Sequence, residues 1–169
     1  MPRGARECYY LSELARVNFI QANSVMYRWR FREGLPAWFH SELTQGDWYW
    51  HLLHAEKGKI GFINKIMSAY RRHAQALYTL AETNRQAHRH RLGLGELQSY
   101  HVMNEHFNGR FRDNFFRLAD GVISDIMLYA RKTGDAKIID DINDKYPAFA
   151  GHFMKTLQAV KSSMDNKNE

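Results

Sequence analysis

The chain has 169 residues, a formal net charge of +6, 44% hydrophobic and 14% aromatic residues, and three prolines. This composition can form a packed core, which excludes a disordered tail or a collagen-like chain. The length suits one domain, predicted over residues 1–164, with a frayed tail at 165–169. No uncharged apolar run approaches the roughly 18 residues of a membrane span, so we expect a cytoplasmic protein that does not contact a membrane.

The positive charge is concentrated in the first half of the chain. Residues 1–91 carry 14 Lys and Arg against 7 Asp and Glu. A surface of this sign attracts nucleic acid, anionic lipid or an acidic protein without distinguishing them. The basic first half therefore indicates that a partner is negatively charged, without indicating whether it is nucleic acid, lipid or protein.

The first third of the chain predicts helices. From Glu7 to about Arg32, apolar residues recur at an imperfect helical spacing. Between Pro36 and Lys57 the sequence predicts two short helices, with Asp47 as the N-cap of the second.

Two longer apolar stripes predict the spine of the fold. The stripe from Ile63 to Ala81 predicts a helix over about 62–91, which Gly93-Leu94-Gly95 would end. The stripe from Leu97 to Tyr129 predicts a second helix over about 96–132. The fold class is therefore all-α, a helical bundle with two long antiparallel helices and shorter flanking helices. Each stripe is longer than one small bundle covers, so we also expect a homodimer.

Two shorter helices complete the predicted bundle. Gly134 is expected to end the second long helix, and Asp135 is expected to cap a short acidic helix that contains Ile138 and Ile142. Pro147 is expected to open the last helix.

Arginines and aromatic residues alternate strictly over Tyr27-Arg28-Trp29-Arg30-Phe31-Arg32. Arginine supplies charge and a planar fork for phosphate, and an aromatic ring supplies a stacking face for a base. A structural role fits the pattern somewhat better, because a helix through this stretch would bury rings and leave the arginines in solvent.

The pattern favours a non-enzymatic nucleic-acid-binding protein, with DNA slightly preferred over RNA. Arginines spread along a helix could follow a phosphate backbone without reading bases. The residues predicted to bind nucleic acid are Arg28, Trp29, Arg30, Arg32, Arg71, Arg72, Arg85, Arg89 and Arg91.

The alternative is a protein-interaction adaptor or inhibitor. Exposed Trp, Tyr and Arg are common anchors of interfaces, and a Trp-rich segment lies between Pro36 and Lys57. Trp38, Trp48 and Trp50 would then contact the partner.

A second alternative is a metal-independent helical ribonuclease. Arg85 and His90 match a loose Arg-x4-His pattern, in which histidine transfers a proton and arginine stabilises phosphate charge. Chance alone produces such matches in a chain with many arginines and histidines. His101 with Glu105 and His51 with His54 have the spacing of metal ligands but lack further ligands in a convincing pattern, so no metal, cofactor or catalytic residue is predicted.

Overall fold

The computed structural model describes residues 6–39, 46–69, 71, 84–135 and 137–165. It confirms the all-α fold class, with two long packed helices among the described elements. The chain divides into two compact units, Met1–His73 and Ala74–Glu169. Whether the two units form the predicted single domain is not tested, so the single domain over residues 1–164 stays a prediction.

The first unit has little regular structure in its described part. It contains the strand β1 (Cys8–Tyr9), the helix α1 (Leu11–Leu14), a single 3₁₀ turn (Ala22–Ser24), the helix α2 (Gly46–Glu56) and the strand β2 (Ile60–Gly61). The two strands pair in antiparallel orientation, with Cys8 opposite Gly61 and Tyr9 opposite Ile60.

The core of the first unit lies between α1 and α2. Leu14, Tyr49 and Leu52 are fully buried. The indole Nε1 of Trp48 donates a hydrogen bond of 3.0 Å to the backbone oxygen of Leu14, which ties the two helices together. A buried N–H and a buried C=O therefore satisfy each other at the centre of this small core.

The predicted helix from Glu7 to Arg32 is wrong. Beyond α1 and the 3₁₀ turn, the described backbone up to residue 32 is not helical. The residues that alternate between ring and charge have a period of two, which matches an extended chain and not a helix. Asp47 lies inside the first turn of α2, where its Oδ1 accepts from the backbone N–H of Trp48, and so is not the N-cap.

The predicted helix over 62–91 is also wrong in its first part. Residues 62–69 are described and are not helical, whereas the first long helix, α3, begins at Arg85 and ends at His106. Most of the predicted stripe from residue 70 to residue 81 lies outside the described residues. Ile63 and Ile66 are β-branched, which favours extended backbone when no packing partner stabilises a helix.

The second unit is built on α3 and a second long helix, α4 (Arg112–Thr133). They run antiparallel, because Arg85 at the start of α3 contacts Asp125 while Tyr100 near its end stacks on Phe115 at the start of α4. The chain reverses over residues 107–111, where Asn108 and Gly109 have positive φ angles of 50° and 72°. The predicted single helix over 96–132 is therefore wrong, because its apolar stripe is divided between the end of α3 and α4.

Gly93-Leu94-Gly95 does not end a helix, because α3 runs through it. A Cβ at Gly93 would lie 2.6 Å from Ile126 Cδ1 and 2.9 Å from Val122 Cγ1 of α4. Glycine therefore allows the two long helices to approach closely at this point.

Two further helices pack on this pair, α5 (Lys137–Lys145) and α6 (Pro147–Asp165). Gly134 ends α4 with φ of 76°, as the sequence predicts, and Pro147 is the first residue of α6. Ile138 and Ile142 of α5 are buried, as is Phe149, whose ring lies 4.8 Å from that of Phe116. The two helices predicted after Gly134 are thus confirmed. The N-cap at Asp135 stays a prediction, because residue 136 lies outside the described residues.

None of the described helices is long and apolar enough to cross a membrane.

Candidate functional site

The alternating stretch is extended, and its rings lie against α2. Tyr27 lies within 4.3 Å of the His54 ring and 5.9 Å of the Trp50 ring, measured between centroids. Phe31 is buried, with its centroid 4.9 Å from that of His54. Successive side chains of an extended chain point to opposite sides, so the period-two pattern separates these rings from the arginines.

We call this group of rings the aromatic cluster. Trp50 lies at its centre, 5.4 Å from Phe39, 4.6 Å from His54 and 5.8 Å from Trp29. The cluster consists of Tyr27, Trp29, Phe31, Phe39, Trp50 and His54. Most of its rings are used in packing, but Trp29 remains 57% exposed and is the member that can stack on another molecule.

A buried hydrogen bond joins the alternating stretch to α2. The hydroxyl of Tyr27 bonds to Nδ1 of His51, which is buried. Burial, and secondarily the negative charge of Asp47, raise the pKa of Tyr27 to about 12. Burial also lowers the pKa of His51. At neutral pH both groups are therefore uncharged, and the Tyr27 hydroxyl donates to the imidazole.

The three arginines of the stretch differ in what they contact. Arg30 donates from Nη1 to the backbone oxygen of Lys57 at 2.9 Å, just beyond the end of α2. Its guanidinium carbon also lies 3.5 Å from where a Cβ of Gly58 would be. Arg28 and Arg32 are exposed and have no ion pair or hydrogen bond within the described part of the chain. Two of the three charges are therefore available to a ligand.

The remaining predicted arginines do not form one row. Arg71 is exposed but lies in the first unit outside any helix, and Arg72 lies outside the described residues. In α3, Arg85 pairs with the buried Asp125 at 2.9 Å and Arg89 pairs with the buried Glu96. Arg91 is exposed.

The Arg85–Asp125 ion pair joins α3 to α4, and the Arg89–Glu96 ion pair lies within α3. The carboxylates of Asp125 and Glu96 are almost fully buried, so removing either arginine would leave a buried charge without its cation. Arg85 and Arg89 are therefore less available to bind phosphate than arginines on a solvent-exposed helix face.

The two residues of the ribonuclease pattern do not converge. Five positions apart on α3, Arg85 and His90 point about 140° apart around the helix axis. His90 Nε2 lies 3.1 Å from the carboxylate of Asp135, and its ring packs 4.8 Å from Tyr129. The partners of the two side chains are thus different, Asp125 for Arg85 and Asp135 with Tyr129 for His90.

The three tryptophans proposed as partner contacts have different surroundings. Trp48 is 2% exposed and belongs to the core, so it cannot anchor a partner. Trp50 is half-buried in the aromatic cluster, and Trp38 packs 5.9 Å from Phe39. The sequence alone could not separate these roles, because all three lie in one aromatic-rich segment.

The structure exposes a different set of apolar side chains in the first unit. Phe19 and Phe62 both pack on the ring of Tyr9, at 5.1 Å and 6.3 Å, and remain 42% and 38% exposed. The chain after Phe62 also exposes Ile66 at 91% and Met67 at 69%. We call the surface the apolar face; it consists of Val17, Phe19, Phe62, Ile63, Ile66 and Met67.

Sequence analysis missed the apolar face because the spacing of Ile63, Ile66 and Met67 fits a helix. The available signal was two β-branched residues, Ile63 and Ile66, within five positions after Gly61.

Comparison with known proteins gives relatives without an assigned function. Over 73 residues the chain is 42% identical to an uncharacterized protein of Mycobacterium bovis and to uncharacterized proteins of two Mycobacterium tuberculosis strains. The match covers 43% of this chain and 20% of each relative, so the chain matches about a fifth of their length. No known protein family and no solved structure matches the chain.

Proposed function

We propose that the protein is an interaction module whose first unit docks onto a partner protein through the apolar face. The observation that carries this proposal is the uneven distribution of exposed apolar side chains. Of the twelve large apolar side chains that are exposed in the described residues, ten lie in the first unit. Single exposed apolar residues are ordinary on a protein surface, whereas a concentration of them marks an interaction surface.

The polar surroundings of the apolar face suit an interface. Lys59 and Lys65 lie next to it in the chain, and Arg16 precedes Val17. An apolar centre with a charged rim is the usual arrangement at a protein–protein contact. Trp29 is 57% exposed and can serve as an anchor, whereas Trp48 is buried.

Affinity capture with matched variants tests this function. Ile66→Asp combined with Met67→Asp places charge on the most exposed part of the apolar face, and Met154→Asp, at 48% exposure, is the control in the second unit. A protein captured by the parent and by Met154→Asp, and lost with the double variant, would agree with the proposal. Identical captured proteins with all three would contradict it.

Nucleic-acid binding is the second candidate, favoured by the exposed arginines on either side of Trp29. Arg28 and Arg32 are four positions apart in a largely extended segment, roughly 13 Å along the chain, which is a distance that two phosphates of one strand can span. Trp29 lies between them with most of its ring exposed. Only part of the predicted set of arginines supports this function, because Arg30 contacts the backbone of Lys57.

Salt dependence of binding tests this candidate. Changing Arg28 and Arg32 to glutamine should make the slope of log K against log salt shallower by about 0.7–0.9 per lost phosphate contact. Trp29→Ala should weaken single-strand binding by about 1–3 kcal/mol if the ring stacks on a base. Arg131→Gln, an exposed residue of the second unit, is the control. An unchanged slope in the double variant would exclude the stretch as a phosphate contact.

A ribonuclease is the least supported of the three functions, because Arg85 and His90 do not face a common substrate position. We expect the purified protein to leave single-stranded RNA intact with and without divalent metal ions. Cleavage that His90→Ala abolishes would overturn this expectation.

A homodimer also stays a proposal, but the surface that would form it is different from the one predicted from the sequence. Leu97, Phe115 and Ile126 of the second stripe are fully buried within the second unit. Apolar side chains that are already buried within one copy gain no further burial when two copies associate, so this stripe does not favour dimerisation. The exposed apolar face of the first unit is the surface that a second copy would have to cover.

A further inference from the structure

The outer edge of β2 has free backbone groups. The N–H of Phe62 donates to the backbone oxygen of Glu7 at 2.9 Å, which extends the β1–β2 register by one residue. Alternate residues of a strand direct their backbone groups to opposite edges. Gly61 and Ile63 therefore direct their N–H and C=O groups away from β1. The C=O of Ile63 accepts from the backbone N–H of Lys65 at 2.8 Å, so within the described structure the unbonded groups of the edge are the N–H and C=O of Gly61 and the N–H of Ile63. The N–H of Ile63 has no hydrogen-bond acceptor among the residues that the structure describes.

The sheet is too small to be complete by itself. Each strand has two residues, and isolated two-stranded ribbons are marginal in water. The sequence from Ile60 to Met67 contains three isoleucines, a phenylalanine and one charged residue, with no proline. This composition is typical of strands that pair with a further strand.

We propose that the outer edge of β2 binds an extended strand of a partner protein, which continues the sheet at Gly61 and Ile63. Main-chain hydrogen bonds to the N–H and C=O of Gly61 and to the N–H of Ile63 supply the affinity, as in other complexes formed by strand addition. The exposed side chain of Ile63 then packs against the side chains of the added strand. This inference rests on the proposed interaction function and specifies how the partner is held.

Charge favours a partner strand with acidic flanks over a second copy of the chain. The described part of the first unit carries nine basic residues and five acidic ones. Lys59 precedes β2 and Lys65 follows Ile63. A second copy would bring the same positive charge to the edge, whereas acidic residues beside the added strand would face these lysines.

A synthetic peptide of alternating valine and threonine with glutamates at both ends is the probe. Fluorescence anisotropy with the full chain should give a Kd on the order of 100 µM. The same peptide with N-methyl groups on the residues that face the edge should bind at least about tenfold more weakly, because it cannot form the main-chain bonds. This comparison leaves the protein unchanged.

Two protein variants locate the contact. Ile63→Pro removes the free N–H and should weaken peptide binding at least about tenfold, whereas Ile63→Ala keeps the N–H and should bind within about threefold of the parent. Circular dichroism should show both variants folded, because Ile63 is 58% exposed and its N–H makes no bond in the described structure.

Three outcomes overturn the inference. They are no peptide binding up to about 1 mM, equal binding of the N-methylated peptide, and light scattering that shows a dimer which Ile63→Pro dissociates. The last outcome would make a second copy the occupant of the edge. A captured partner that is lost with the Ile66→Asp and Met67→Asp double variant but is retained by Ile63→Pro would separate the two proposals. The interaction function would then stand, and the proposal of strand addition would be wrong.

Discussion

Trp48 and Trp29 illustrate how residues of one type take opposite roles in the first unit. Trp48 is buried and bonds to the Leu14 backbone, while Trp29 is 57% exposed at the edge of the aromatic cluster. Trp48→Phe should lower the free energy of unfolding by about 1–3 kcal/mol, because the buried oxygen of Leu14 loses its donor. Trp29→Phe should change it by less than about 0.5 kcal/mol. Urea denaturation measures both, and equal losses would contradict the assigned roles.

Gly93 provides a second test at the level of single residues. Gly93→Ala should destabilise the second unit by about 1–3 kcal/mol, because its Cβ would overlap Val122 and Ile126. Gly121→Ala is the matched control, since that helical position has open space around its Cα and alanine should stabilise it by up to about 1 kcal/mol. Thermal unfolding that shifts upward for both variants would show that α3 and α4 do not approach closely at Gly93.

Contact between the alternating stretch and α2 makes the first unit sensitive to pH. Burial lowers the pKa of His51 below its ordinary value of 6.5, so the unfolded chain binds a proton there more readily than the folded one. Stability should therefore fall as the pH decreases below about 6.5. The pKa of Tyr27 is raised from 10.0 to about 12, so stability should also fall as the pH rises above 10.

Denaturation at pH 7.5 and pH 5.5 tests the acidic side of this dependence. His51→Gln cannot gain the proton, so it should reduce the loss of stability between the two pH values. The negative charge of Asp47 raises the pKa of His51 and the neighbouring His54 lowers it, so the comparison must be made within one buffer series. A loss of the same size in His51→Gln would show that other groups cause it.

The all-α class of the second unit was predictable, whereas the bounds of its two long helices and most elements of the first unit were not. Leu97, Tyr100, Phe111 and Phe115 lie on the buried side of the helix pair, so their periodicity identified an all-α bundle correctly. The predicted helix ends differ from the observed ones because Gly93 and Gly95 resemble a helix break in the sequence. In the structure, Gly93 lies inside α3 and allows close packing against α4.

In the first unit, local sequence patterns were consistent with both helical and extended backbone, and no long regular element favoured one over the other. The alternation over Tyr27 to Arg32 indicated binding or a helix, but the rings pack on α2 in an extended segment. The contact of Tyr27 with His51 joins residues 24 positions apart, and no local pattern contains that information. Which arginines remain free could likewise be seen only once Arg30 was placed beside Lys57.

On the scale of the whole molecule, the two units differ in how completely they bury their apolar residues. The second unit buries most of its apolar side chains between its helices, with Leu128 and Met154 as the large apolar side chains exposed in its described part. The first unit exposes ten. A surface of this kind is stabilised when a partner removes it from water, by roughly 25 cal/mol per Å² of apolar area buried. The first unit is therefore the part of the molecule that we assign to binding.

Site-specific photo-crosslinking in the cells that make the protein tests this assignment most directly. A benzophenone amino acid would replace Ile66, which is 91% exposed on the apolar face, or Met154, which is exposed on the second unit. We predict that irradiation yields a discrete crosslinked protein from position 66 and none from position 154. Absence of an adduct at position 66, or the same adduct at both positions, would contradict the account.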